Sequence, residues 1–449
     1  MIVKTPSERL FNPGFLGLII AQFFGAMNDN VLKVVLTFMV VDGAWKNELG
    51  TGGQGIVGVC FTIPFMLLSG FAGQVSDRHS KERVTFWVKI AEIPIAIVAG
   101  LGFYFQSLPI TLVSLVALTC QSSFFGPAKY GMIPELVSEK HLSRANGAIN
   151  MLTNVAVIAG TILAGVASDL YVDTDTGHGM RWLPGVILVA IAVFGLIAAK
   201  LITPLDPGNK DLNYNVNPFS TYVATIREMS KTRLLMVMMA WGYFYFLAGI
   251  ALFIVPEYTV VLGTNMTEAS VLMGVLGVAI GIGCAVAGWI SGDRIDPRLT
   301  TIGALGLVTF FFLLGVVEPW MPDARPLLRV ALSNVALLIF CAGFFAGFYI
   351  IPLQALLQKL SPDGERGQFL GTANAVSFAF MTLSGILYAL IRDSYGDQPQ
   401  RMFLLSSGLM LAGAAFFLWK LRGTGLLIGS RRTEIKTEPN VEASQTGDP

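Results

Sequence analysis

Asp29 and Lys33 stand four residues apart inside an apolar run that continues to Val41. Four residues is about one helical turn, so the acid and the base share a face and can pair or jointly line a polar cavity. An unpaired charge midway along a membrane helix costs roughly 2.5–3.5 kcal/mol, and a residue kept at that cost faces a cavity rather than lipid. Asn28 and Asn30 flank Asp29 at about 100° on either side, so at most one of them fully shares its face. Lys89 and Glu92 form a second acid–base pair at spacing three, read as a cavity or gate element or as a pair whose lysine stem reaches the membrane interface. Glu257, after Pro256, falls near the outer end of a later run and is a candidate gate. Trp241, Tyr243, Phe244, Tyr245 and Phe246 offer an aromatic surface for an acyl chain or a cationic amine, of which one or two rings can serve a single site.

The most specific local pattern is Gly73-Gln74-Val75-Ser76-Asp77-Arg78-His79-Ser80-Lys81-Glu82-Arg83-Val84, read as a short loop between two helices. An aspartate there can accept hydrogen bonds from a neighbouring helix N-terminus, where the helix dipole favours an anion. Arg78, Lys81 and Arg83 serve the lipid surface or nearby carboxylates. A plain positively charged loop accounts for the cations but not for Gly73 or Asp77, so Gly73, Asp77, Arg78 and Arg83 are expected to form a conformational latch. Nothing comparable suggests catalysis. His79, His141 and His178 are scattered in loops, and Cys60, Cys120, Cys284 and Cys341 sit in apolar runs without metal-type spacing. No catalytic residue, metal site or cofactor is therefore expected.

The elements that must position these residues follow from composition. Of 449 residues 54% are apolar and 13% charged, against roughly 25% charged in soluble domains. Uncharged stretches such as Leu49 to Ser76 and Ile93 to Ala128 are long enough to cross a bilayer. Splitting the runs at polar and Pro/Gly breaks predicts helices over 15–41, 56–76, 84–105, 109–128, 145–171 and 183–202, then 234–261, 269–292, 299–317, 328–359, 367–391 and 402–421. The fold class expected is an all-α membrane protein, twelve transmembrane helices in two six-helix pseudo-symmetric bundles. Residues 1–203 form the first bundle, 204–233 an aqueous linker, 234–422 the second bundle and 423–449 a disordered tail. The first run is too long for a signal peptide and is expected to be retained. Alternate loops, counted from the N-terminus, hold 22 of the 30 lysines and arginines and the opposite loops 6, which places both termini in the cytoplasm. A net charge of +1 offers no face for nucleic acid.

The halves also echo each other. Phe125-Gly126-Pro127, read as the end of the fourth helix, and Ala145-Asn146-Gly147, read as the opening of the fifth, correspond to Gly347-Phe348, Pro352 and Ala373-Asn374-Ala375. Gly73-x-x-x-Asp77-Arg78 is matched by Gly288-x-x-x-x-Asp293-Arg294. Two parallel repeats about a midplane cavity are a transporter architecture.

These residues resemble the major facilitator superfamily, whose loop after the second helix reads Gly-x-x-x-Asp-Arg-x-Gly-Arg; Ser80 and Lys81 depart from that pattern. Gly73-Gln74-Val75-x-Asp77 with Lys81, Arg83 and Val84, Pro127-Ala128-Lys129-Tyr130-Gly131, Ala145-Asn146-Gly147, Pro352-Leu353-x-Ala355-Leu356-Leu357-Gln358 and Gly25-Ala26-Met27-Asn28-Asp29-Asn30 resemble the lysophospholipid transporter family, including relatives fused to an acyltransferase. The resemblance implies flipping of lysophospholipids, mainly lysophosphatidylethanolamine, across the bacterial inner membrane for reacylation by a separate acyltransferase partner. It implies a substrate site in which Asp29 meets the headgroup ammonium and Lys33 or Lys129 the phosphate, with Asn30 beside them, while the acyl chain stays near apolar helices and membrane lipids. The rival on the same fold is a proton-coupled exporter of drugs or other amphiphiles with Asp29 titrating. An integral-membrane enzyme lacks the His-Asp or metal constellation it would need.

Overall fold

In eleven helices an apolar window long enough to cross a membrane carries at most two charged residues, and among the described residues none lies in a β-strand. A computed structural model of the protein describes residues 7–41, 44–45, 48–49, 53–171, 179–215, 217–264, 266–292 and 294–421. The helices are α1 (Pro13–Val41), α2 (Gly53–Arg78), α3 (Lys81–Tyr104), α4 (Leu108–Leu136), α5 (Leu142–Tyr171), α6 (Leu183–Ala199), α7 (Pro218–Ser230), α8 (Leu234–Ile254), α9 (Tyr258–Leu262), α10 (Met266–Ile290), α11 (Arg298–Val316), α12 (Pro326–Ala331), α13 (Asn334–Leu360), α14 (Arg366–Ile391) and α15 (Met402–Leu421). At 17 residues α6 is shorter than the other crossing helices but equally apolar, and it completes a set of twelve.

Helices α1 to α6 pack as one bundle, around Val31, Leu36 and Phe103 toward one end and Phe15, Met132 and Ile133 toward the other. The crossing helices from α8 onward form the second, around Ile250, Leu357 and Phe403. Lipid removes the hydrophobic drive for helices to associate, so close packing of small residues does that work. A Cβ on Gly100 or Gly185 would fall 2.8 or 2.6 Å from the other's Cα, which lets α3 and α6 meet backbone to backbone.

Several boundaries differ from the sequence expectation. Helix α4 runs through Pro127 and Pro134 to Leu136, so Phe125-Gly126-Pro127 does not end it. A membrane helix tolerates proline where neighbours satisfy the freed carbonyl, and Pro127 is buried against Gly371 of α14. The Gly73–Arg78 stretch is helical, and only His79 and Ser80 separate α2 from α3. Helix α5 opens at Leu142 rather than Ala145, and α14 opens at Arg366, well before Ala373. The seventh span stops at Ile254 and continues as a 3-10 turn and α9. The tenth is split, with Ser333 capping the Ala336 N–H at the start of α13. Asp293 of the second Gly-Asp-Arg echo and the tail 423–449 lie outside the described residues.

The linker is not the loose aqueous strap its asparagines and prolines suggest. Asn217 caps α7 by accepting from the Phe219 N–H, with Pro218 in the first turn. The Tyr222 hydroxyl of α7 accepts from Gly70 N at 3.0 Å and donates to Met66 O at 2.7 Å, the two α2 groups that an undisturbed helix pairs directly. Gln74 of α2 donates to Asn215 O and Thr221 Oγ1 and accepts from Asn215 N. The linker thus clamps the end of α2 that carries Asp77.

Between the bundles the helices touch at this linker end. A Cβ on Gly73 would lie 2.4 Å from Gly367 O, so α2 meets α14 backbone to backbone. Gly147 and Gly288 allow the same between α5 and α10, where added Cβ atoms would lie 2.6 Å from Cys284 O and 2.8 Å from Ser143 O. Midway, Phe65 stacks on Phe378 at 4.6 Å and Asn374 donates to Ser69. Further from the linker, Gly58, Gly165 and Gly274 on the same helices face open space, with nothing within 4 Å of an added Cβ. The seam is closed at the linker end and parts toward the other.

Candidate functional site

Three successive residues of α1 point to three different neighbours, as a 100° step requires. Asn28 Nδ2 donates to Glu92 Oε1 of α3 at 2.7 Å. Asp29 accepts from Ser122 Oγ of α4 at 2.9 and 3.0 Å. Asn30 Nδ2 donates to Val157 O and Thr161 Oγ1 of α5, both at 2.8 Å. Asn30 therefore commits both amide hydrogens to α5 and ties α1 to it.

Lys89 and Glu92 are each 1% exposed and joined at 2.6 Å. Lys89 does not snorkel: its ammonium lies under Gly25, where a Cβ would fall 2.4 Å away, and 5.1 Å from the Phe125 ring. Gln121 donates to Val88 O and, at 3.4 Å, to Glu92, and its Oε1 lies 3.0 Å from the Ser122 hydroxyl, whose one hydrogen is shared between Gln121 and Asp29, so the Lys89–Glu92 pair and Asp29 lie in one polar core. Such a network stays buried because its charges are paired and hydrogen-bonded.

Asp29 and Lys33 share a face but form no ion pair; the Lys33 ammonium lies 5.0 Å from the Phe61 ring. Lys129 is 8% exposed, and its ammonium sits 4.2 Å from the Tyr130 ring and 5.8 Å from Phe125. Neither lysine has a carboxylate within 4.0 Å among the described residues. Each ammonium faces an aromatic ring with no carboxylate bonded to it, although Lys33 still feels the Asp29 charge one turn away, an arrangement open to an anion.

At the seam, Asp77 is fully buried and accepts from Gly367 N at 2.6 Å and Gln368 N at 2.9 Å, the first turn of α14. The Asp77 carbonyl also accepts from Asn209 N of the linker at 2.8 Å. Arg78 and Arg83 take no part in these bonds: Arg78 lies 4.5 Å from the Tyr214 ring, and Arg83 is exposed beside Glu82. Lys81 pairs with Glu135 at 2.7 Å, which fixes the start of α3 to α4. Asn146 and Gln358 exchange hydrogen bonds between α5 and α13 at 2.6 and 3.0 Å, and Asn150 donates to Gln354 at 2.8 Å. Lys359 and Glu139 add a solvent-exposed pair, which contributes little. The amide contacts were not anticipated. The signal was present, since Asn146, Asn150 and Asn154 recur at spacing four along α5, as do Gln354 and Gln358 along α13.

Above this seam a cavity of about 290 Å³ lies within the second bundle, closed on one side by Asn150 and Asn154 of α5 and lined otherwise by apolar residues including Phe244, Tyr245, Ile280 and Ile350. Asp29, Lys33, Lys129 and Trp241 are not among its lining residues. Trp241 is 4% exposed, packs edge-on to Tyr245, and its Nε1 has no partner among the described residues. A larger groove of about 890 Å³ runs along α3 and the linker, where Arg83 and Lys210 are offset by Glu82 and Asp206.

Glu257 lies at the far end from the linker and does not cross the seam. Arg392 donates to it from Nε at 3.1 Å and Nη2 at 2.8 Å, and the Tyr388 hydroxyl donates as well. These bonds, those from Arg392 foremost, hold the carboxyl below the usual glutamate range. A lowered folded value means the stabilisation is fully present above the unfolded value, about pH 4.3, and is lost as pH falls through the folded one. The thermal midpoints of the parent and of Arg392→Gln, measured in detergent, should therefore converge below about pH 4. A gap of unchanged size there would exclude the ion pair as its source.

Two six-helix bundles that meet along a seam closed at one end, with a cavity above it, define a membrane transporter rather than an enzyme. The chain belongs to the Major Facilitator Superfamily, whose family model matches residues 18–377. The lysophospholipid transporter LplT of Cronobacter sakazakii is 27% identical over 83% of this chain and 86% of its own length. LplT of Photorhabdus laumondii is 27% identical over 87% of this chain and 92% of its own. Among solved structures, the human organic anion transporter MFSD10 shares the fold with a TM-score of 0.67 at 15% identity, covering 92% of this chain and all of its own. FucP in the outward conformation matches with a TM-score of 0.66 at 13% identity over 91% and 99% of the two chains.

Proposed function

We propose that this protein moves lysophospholipids of the lysophosphatidylethanolamine type across the bacterial inner membrane, supplying a separate acyltransferase that reacylates them. Residues 1–203 and 234–422 act as the two moving bundles, 204–233 straps them together, and the linker end faces the cytoplasm. The observation that carries the reading is the pair of lysines, Lys33 and Lys129, that face aromatic rings without a carboxylate partner. A phosphate completes the site at Lys33 or at Lys129, and Asp29, one turn from Lys33 on α1, supplies the carboxylate for a headgroup ammonium. The mostly apolar cavity suits a chain that stays out of water. The name shared by the relatives, which match this chain over most of its length, supports the same substrate class.

The test is transport of labelled lysophosphatidylethanolamine by purified protein in liposomes. The parent should transport it. Lys33→Met and Lys129→Met should each slow every phosphate-bearing headgroup by about tenfold, the loss of one hydrogen bond to a charged group. Asp29→Asn should slow ammonium-bearing headgroups selectively. No transport by the parent would discard the assignment, and proton-dependent export of unrelated amphiphiles would replace it with a drug exporter.

A further inference from the structure

The amide ladder between α5 and α13 is complete at one rung and half made at the next. Asn146 and Gln358 bond in both directions. Asn150 uses one amide hydrogen on Gln354 Oε1 and the other on Asn146 O. Gln354 receives that bond and returns none: its side chain is 2% exposed and its Nε2 has no partner among the described residues. The Asn150 side-chain oxygen, Oδ1, likewise accepts from no described residue, whereas its main-chain carbonyl takes a bond from Asn154 Nδ2. What is missing at this rung is one acceptor for Gln354 Nε2 and one donor for Asn150 Oδ1.

The incomplete rung adjoins the cavity of the second bundle through Asn150; Gln354 sits behind Asn150 and is not among the residues that line it. Asn150 lines it, as does Ile350, one turn before Gln354 on α13, while most of the remaining wall is apolar. A polar pair left open against an apolar cavity is a place where a ligand's polar atom is held and its hydrocarbon is buried.

A neutral donor beside a neutral acceptor does not select for charge. It selects for a group that donates and accepts at once, as a hydroxyl does from a single atom. We propose that Gln354 and Asn150 bind the free glycerol hydroxyl of a monoacyl lipid and thereby distinguish it from a diacyl lipid, whose second ester has no O–H to give. The inference rests on the lysophospholipid reading above and adds the residues that read the monoacyl state. A site built to hydrogen-bond a hydroxyl rejects an analogue without one, because its own buried groups are then left unpaired. Binding also ties the ligand to the seam, since the rung it completes holds α5 to α13.

The experiment compares, in liposomes containing the purified protein, lysophosphatidylethanolamine with its deoxy analogue, in which the glycerol hydroxyl is replaced by hydrogen. The parent should move the hydroxyl-bearing lipid at least about tenfold faster. Gln354→Met, checked for folding by its thermal midpoint, should bring the two rates within about twofold by losing the faster one. Equal rates for the two lipids in the parent overturn this proposal while leaving lysophospholipid transport standing. A folded Gln354→Met protein that keeps the parent's ratio removes Gln354 from the site. If the parent moves neither lipid, the transport reading fails and this inference falls with it.

Discussion

Gly73→Val is expected to rest with its linker end open. A Cβ at position 73 would lie 2.4 Å from Gly367 O, a backbone atom that cannot move without α14, and valine adds two methyl groups beyond it. The same opening should follow, more weakly, from Asp77→Asn, which weakens the charge-assisted bonds to Gly367 N and Gln368 N. Hydrogen bonds to a charged group contribute about 1.5–3 kcal/mol each, so losing the equivalent of one shifts the open-to-closed ratio by about tenfold to a hundredfold. Spin labels at Arg83→Cys and Glu365→Cys, exposed positions on opposite bundles at the linker end, report the change as a longer distance. Unchanged distance distributions in both variants would show that the α2–α14 contact does not hold the seam.

The largest loss of stability is expected from Glu92→Leu. It leaves the Lys89 ammonium, 1% exposed, without the carboxylate bonded to it, with the Phe125 ring and the more distant Asp29 charge as its remaining neighbours. Removing one partner of a buried pair costs about 3–5 kcal/mol, because the other charge is stranded. Lys89→Met should cost less, since Glu92 keeps the Asn28 donor at 2.7 Å. The double variant, with no buried charge at the site, should recover much of the loss. Thermal unfolding in detergent of all three proteins checks the order, and a double variant less stable than Glu92→Leu would contradict it.

The crossing helices were legible because uncharged runs of membrane length have few other uses, and the same excess of apolar residues excluded a soluble enzyme. Helix ends were not legible. Pro127 and Ala145 look like stop and start signals in water, but in lipid a helix continues wherever its neighbours satisfy the backbone, as α4 does to Leu136. Asp77 could be expected to seek a helix N-terminus; that the N-terminus is that of α14 could not, because its partners lie about 290 residues away. Asn28 to Asn30 were weighed against a single face, which hid the fact that each serves a different helix. The amide stripes on α5 and α13 show plainly as spacing four, yet nothing local says that they face each other.

The triple attachment of α1 sets a schedule for biosynthesis. Asn28, Asp29 and Asn30 find their partners 64, 93 and up to 131 residues further along the chain. At about 5–20 residues per second of synthesis, α1 exists for roughly 6–26 s before its last partner has been made. Asn28 and Asp29 find their partners on α3 and α4 earlier in that interval, but the Asn30 amide must be kept from lipid by something other than this protein until α5 arrives, so α1 has to wait in or beside the insertion machinery.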